Sequence, residues 1–144
     1  MAASKYVMGV PPIGLGPYIR EELRKIELSI ESVLSVPPNW SYPPLLNGWL
    51  DYDAANWMTA RYYKSPLGIV YIQGLIKSGP LPSIAFVLPT GYRPGNNVLL
   101  STISANGGTE MLSRLDIRAN GDVVPISGGN TYFSICNISF PADQ

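Results

Sequence analysis

Proline and glycine interrupt the second half of this sequence at short intervals, and that spacing limits what it can fold into. Each occurs 14 times in 144 residues. From Trp57 onward, apolar runs rich in β-branched and aromatic residues alternate with tight-turn signals. "WMTARYYK" alternates, with Met58, Ala60 and Tyr62 on one face and Trp57, Thr59, Arg61 and Tyr63 on the other. "SPLG" puts proline at the second position of a turn, and "IVYIQGLIK" returns as the partner strand. "SGPLPS" breaks that strand. "IAFVLP" reads as the next one, and "TGYRPGNN" as a loop. "VLLSTISA", "EMLSRLDIRA", "VVPI" and "TYFSICNISF" follow as strands, separated by the turn signals "NGG", "NGD" and "SGGN". About seven or eight short strands at this spacing predict a mainly β domain over residues 57–144. Its expected form is an antiparallel β-sandwich (jelly-roll-like) or a barrel.

The N-terminal part reads differently. Residues 18–34, "YIREELRKIELSIESVL", predict the one helix. Pro17 suits a first turn, Glu21 and Glu22 lie near the positive end, and Pro37 and Pro38 stop it. Ile19, Leu23, Ile26, Ile30 and Val33 are spaced 4-3-4-3, the seam of a coiled coil. Leu23 and Ile30 take the a positions and Ile19, Ile26 and Val33 the d positions, a choice that leans towards trimers or tetramers. Residues 18–36 are therefore expected to be a short trimerising helix. A helix of this length is marginal alone in water, so the adjoining domain must help to hold it. The alternative is an ordinary amphipathic helix covering its own sheet. Leu28 lies off the seam.

Residues 1–17 have no usable period, because Pro11, Pro12, Gly14, Gly16 and Pro17 oppose regular structure. Yet Tyr6, Val7, Met8, Val10, Ile13 and Leu15 make the segment too apolar for a solvated linker. It is expected to be extended and to lie against its own domain, a sister chain or a larger assembly. Residues 37–56 form a Pro- and aromatic-rich connection in which Trp40, Tyr42 and Trp49 are expected to be buried. The opening Met-Ala-Ala-Ser reads as a natural start.

The inventory of reactive side chains is thin. There is no histidine, which removes the commonest general base and metal ligand. The one cysteine, Cys136, lies in an apolar run and reads as a small buried hydrophobe. Ten acidic residues balance ten basic ones, so neither nucleic acid nor an anionic membrane is an expected partner. No run approaches the ~20 apolar residues of a membrane-spanning helix, and no signal-peptide pattern opens the chain. Asp51, Asp53 and Asp122 read as turn formers, and Arg114 and Asp116 share a strand face on which they can pair. An enzyme is not expected, nor is a cofactor. Binding through aromatic rings is better supported. Tyr52, Tyr62, Tyr63, Tyr92 and Tyr132 are candidates for a sugar face or a protein partner. Arg61, Arg93, Asn96 and Asn97 are their polar neighbours. Most of these tyrosines are expected to pack within the sandwich or between subunits.

Several segments together resemble a known family. "NGWLDY", "RYYKSPLGIVYIQGLIKSG", "FVLPTGYRPGNNVLLSTIS", "RLDIRANGDVV" and "YFSICNISFPA" are similar to the C-terminal head domains of bacteriophage tail fibres and related trimeric virion proteins. The resemblance covers roughly residues 47–142, in order. It implies a non-enzymatic β-sandwich head, assembled as a homotrimer on a virion and made in the host bacterial cytoplasm. Its tip would contact a host-surface glycan or protein. Residues 1–17 would join other tail or capsid proteins. Receptor contacts in the family vary, so Tyr62, Tyr63, Tyr92, Arg93, Asn96 and Asn97 stand as candidates from residue type alone. Only about 46 residues precede the head here, which implies a short fibre or spike. A capsid or tail decoration or adaptor protein without host contact, and a stand-alone glycan-binding module, are the alternative readings.

Overall fold

The computed structural model describes residues 15–34 and 37–143. The chain divides into two units, Met1–Pro37 and Pro38–Gln144.

The first unit holds α1, Leu15–Leu34. It begins before the predicted Tyr18, which places Pro17 inside the first turn, where its missing N–H costs nothing. As a result Glu21 and Glu22 fall beyond the first turn. Glu22 instead pairs with Lys25 at 3.2 Å, an exposed i,i+3 contact of small energetic weight. The seam residues Leu23, Ile26 and Ile30 are 47%, 55% and 50% exposed, and Ile19 is half-buried. Leu28 is exposed as well. The side chain of Val33 lies outside the described residues.

The second unit is mainly β and antiparallel. Its strands are β1 (Leu50–Asp51), β2 (Arg61–Lys64), β3 (Ile69–Gln73), β4 (Leu75–Lys77), β5 (Phe86–Val87), β6 (Val98–Asn106), β7 (Thr109–Ile117), β8 (Asp122–Ser127), β9 (Tyr132–Ser134) and β10 (Ile138–Pro141). Seven form one sheet in the order β1-β4-β9-β6-β7-β8-β5, and three form another in the order β10-β3-β2. The sheets curl into a sandwich-like half-barrel.

More strands are present than the sequence pattern predicts because two apolar runs each serve both sheets and because the connection adds β1 at Leu50–Asp51. "IVYIQGLIK" divides at Gly74, so that β3 pairs with β2 and β10 while β4 pairs with β1 and β9. Gly74 has φ +146°, and a Cβ there would lie 2.7 Å from the Ala60 Cα. Only glycine tolerates both conditions. "TYFSICNISF" divides in the same way into β9 and β10, with Asn137 at φ 58° between them. The two crossings are bonded together: Ile135 N donates to the Gly74 carbonyl at 3.0 Å and Cys136 Sγ to the same oxygen at 3.3 Å. Cys136 is thus half-buried and hydrogen-bonded, not a fully buried hydrophobe. "WMTARYYK" also departs from expectation, since strand pairing begins only at Arg61. Residues 53–57 wind instead into a turn, and the Asp51 carboxylate takes the Ala60 N–H at 2.8 Å.

The hairpin signals act as predicted. β6 and β7 pair from Val98↔Ile117 to Asn106↔Thr109, leaving Gly107 and Gly108 as the turn. Val70, Ile72, Ile138 and Phe140 line the core from the smaller sheet, and Phe86, Leu115, Ile117, Val123 and Phe133 from the larger. Trp49 from the connection completes it, 1% exposed, with its indole N–H on Ser83 Oγ at 2.9 Å. Full burial of such side chains contributes about 1.5–3 kcal/mol each. Tyr42, by contrast, is 64% exposed, and Trp40 is half-buried. Two segments far apart in sequence interlock: Leu88 N donates to the Gly121 carbonyl, and Arg93 Nε donates to the Leu88 carbonyl, both at 2.8 Å. A Cβ on Gly121 would collide with that Leu88 oxygen, so "LPTGYRP" and "ANGDV" form one corner.

Candidate functional site: an exposed aromatic surface

The alternation of β2 decides which tyrosines face the core. Tyr62 points inward, its ring parallel to Phe86 at 6.5 Å and edge-on to Tyr92 at 5.3 Å. Burial pushes its phenol pKa up. Lys64 lies over the Tyr92 ring at 5.1 Å and donates to the Gly91 carbonyl at 2.9 Å. Asn97 Oδ1 accepts the Ala119 N–H at 2.9 Å, and Asn96 is exposed. Tyr62 and Tyr92 are thus brought together on the core, Arg93 bonds its own corner, and Asn97 holds a backbone turn.

Tyr63, one residue on, points the other way. On the outer face of β2 and β3 it stacks on Tyr71 at 5.2 Å, and Trp40 meets it edge-on at 4.7 Å. The Arg61 guanidinium covers the Trp40 ring at 4.2 Å and donates to Gln73 Oε1 at 3.1 Å. Its Nη2 also reaches Met58 Sδ at 3.5 Å.

Beyond Met58 lies a second cluster. Tyr52 meets Trp57 edge-on at 6.4 Å and Tyr132 at 5.7 Å, and Lys77 stands 5.6 Å from the Tyr52 ring. The Tyr132 hydroxyl donates to Glu110, which raises the phenol pKa. Trp57 and Met58 are 57% and 50% exposed. A hydrogen-bonded turn presents the indole. Asp53 Oδ2 accepts from Asn56 Nδ2 at 2.7 Å, Oδ1 accepts the Ala55 N–H at 3.1 Å, and the Asp53 carbonyl takes the Trp57 N–H at 2.8 Å. The Asn56 amide, more than any other group, holds the Asp53 carboxyl below its ordinary range.

The surface therefore offers a protruding indole, flanking ring edges, an ammonium and a carboxylate. Such a set can stack on the apolar face of a sugar ring and bond its hydroxyls. Tyr52, Tyr63 and Tyr132 are legible candidates from the sequence; Trp57 and Trp40 are not. The Asp53-to-Asn56 turn signal was the available clue to Trp57, whose exposure follows from leaving the strand before Arg61. Tyr6, Val7, Met8, Val10 and Ile13 lie outside the described residues, as does the side chain of Leu15, which opens α1.

No family model matches this sequence, and no curated protein does. Among solved structures, the fold is similar to the receptor binding protein (gp15) of Listeria phage PSA, at 15% sequence identity and a TM-score of 0.64. The match covers 99% of this chain and 91% of that one. At that identity the likeness is one of fold, and it extends over a helix followed by a β-unit.

Proposed function

We propose that this chain is a bacteriophage attachment protein, a non-enzymatic homotrimer carried on the virion. Its β-unit binds the host surface. The observation that carries this reading is the length-wide likeness to a phage receptor binding protein, 99% of one chain on 91% of the other. The order of motifs over residues 47–142 supports it from the sequence side. The exposed stripe of α1 supports self-association, since Leu23, Ile26 and Ile30 leave a coiled-coil seam unburied. Residues 1–17 are the segment available for joining other tail or capsid proteins.

Within this reading, the host contact is a cell-surface saccharide held by Trp57, Tyr52 and Tyr132, with Lys77 and Glu110 bonding hydroxyls. Tyr63, beside Arg61, belongs to the adjoining aromatic face. Purified full-length protein carrying a fluorescent label should stain host cells, and host cell-wall polysaccharide should compete. Trp57→Ala should weaken that staining about tenfold or more, the scale of a lost aromatic anchor, with the far-ultraviolet spectrum unchanged. Loss of staining with no competition by polysaccharide would point to a protein receptor. Phage lacking the protein that still adsorb normally would overturn the attachment reading.

A further inference from the structure

Met58 joins the two aromatic clusters, and its chemistry is unlike theirs. Of the four methionines, Met58 and Met111 lie among the described residues. Met111, on β7, is half-buried, whereas Met58 is 50% exposed. The Met58 backbone is tied to the crossing between sheets, where its carbonyl accepts the Leu75 N–H at 2.9 Å. Its sulfur accepts from Arg61 Nη2 at 3.5 Å, and the same nitrogen donates to Gln73 Oε1 at 3.1 Å. The guanidinium covers the Trp40 ring, which meets Tyr63 edge-on. One thioether thus connects the turn that carries Trp57 to the outer face of β2 and β3.

A thioether is a weak acceptor, and an accessible one is open to two-electron oxidants. With hydrogen peroxide the step balances without help from the protein. A sulfur lone pair forms the S–O bond, the O–O bond breaks, and the departing hydroxide takes the proton left on the transferred oxygen. Sulfur is oxidised by two electrons, and the peroxide leaves as water. The product is a strong acceptor where a weak one stood. An S–O bond followed end to end by an N–H···O contact of about 2.9 Å spans more than the present 3.5 Å. An oxygen added on the side facing Arg61 therefore pushes Met58 and the guanidinium apart and disturbs the cover of Trp40. An oxygen on the other side puts a polar group at the surface, beside Trp57 in the chain. Each outcome alters the aromatic surface and spares the core, since neither Met58 nor Arg61 belongs to it.

We propose that Met58 is a modification site: its oxidation to the sulfoxide by a hydroperoxide lowers the affinity of the aromatic surface for its ligand. The loss of affinity rests on the host-binding reading above; the oxidation itself does not. Full-length protein treated with dilute hydrogen peroxide tests both parts. Peptide mapping by mass should show Met58 gaining one oxygen several times faster than Met111. The treated protein should stain host cells about threefold less or weaker still, the scale of one lost contact, with an unchanged far-ultraviolet spectrum. The two methionine sulfoxide reductases, one for each epimer, should together restore the staining. Met58→Leu has no sulfur to oxidise at this position, so peroxide should not lower its staining from its own untreated level. Met58 oxidised no faster than Met111 overturns the proposal. So does a treated Met58→Leu protein that loses staining as the native one does, because another residue then carries the effect. Oxidised Met58 with full staining, in a protein whose staining Trp57→Ala still weakens, defeats the proposal and leaves the attachment reading standing. Native protein that stains no host cells defeats the attachment reading and the affinity loss with it, while the mapping alone decides the oxidation.

Discussion

The two units of this chain differ in whether their apolar residues form a core. The β-unit gathers most of its largest ones into a core, where Trp49, Phe86, Phe133, Ile72 and Ile76 are each at most 1% exposed, although Trp57, Leu67 and Leu112 stay at its surface. Helix α1 displays its own, with Leu23, Ile26 and Ile30 about half-exposed and an ion pair at its surface worth little. The β-unit therefore has an apolar core within one chain, whereas the apolar stripe of α1 is exposed. A consequence follows for any measurement. If the proposed association runs through α1, properties of the β-unit should be largely insensitive to protein concentration, and those of α1 should follow it.

The sharpest way to break this contrast is at Gly74. Replacing it with Val forces a β-branched residue into φ +146° and drives a Cβ against the Ala60 backbone. We expect a loss of about 3 kcal/mol or more, read as an earlier thermal transition of the β signal at every concentration tested. A melting temperature within a degree or two of native would mean that the crossing between sheets is not what the glycine serves.

The second test addresses α1. Ile26→Asp with Ile30→Asp places charge in the seam and should weaken association by about 2 kcal/mol or more. Light scattering should show dissociation at micromolar concentration, while the thermal transition of the β-unit stays near native. Trimeric mass retained at nanomolar concentration would show that α1 is dispensable for assembly.

The same contrast explains what was legible in the sequence. Local signals are legible: "NGG" and "NGD" give the β6–β7 and β7–β8 hairpins, and Arg114–Asp116 pair on one face, whereas α1 starts at Leu15, ahead of the Pro17 expected to open it. The sheet crossings were not legible. "IVYIQGLIK" is mostly apolar on both sides of Gly74, and which sheet each half joins is decided by Ala60 packing on Gly74 and by the partner run at Cys136. The aromatic surface was half legible. Strand parity correctly divided Tyr62 from Tyr63, but the exposure of Trp57 depends on a turn that overrides the alternation of "WMTARYYK". The burial of Trp49 was expected; the exposure of Tyr42 was not.

The smallest expected effect tests that turn. Asp53 titrates below its ordinary value of 3.8 because Asn56 and the Ala55 amide bond its ionised form. A depressed carboxylate favours the folded turn above the unfolded pKa, and that contribution fades as pH falls through the folded one. The turn should therefore stay intact at neutral pH and loosen only below about pH 4, without unfolding the β-unit. In an acid titration followed by amide resonances, Ala55 should shift with a midpoint below 3.8. Asp53→Asn should abolish that shift and leave affinity for host cells at neutral pH nearly unchanged, because its amide oxygen still accepts from Ala55 and its new Nδ2 can donate to the Asn56 side-chain carbonyl oxygen once that amide flips. A midpoint above the ordinary carboxylate value would mean that Asp53 is not held by these bonds, and the fixed presentation of Trp57 would lose its physical basis.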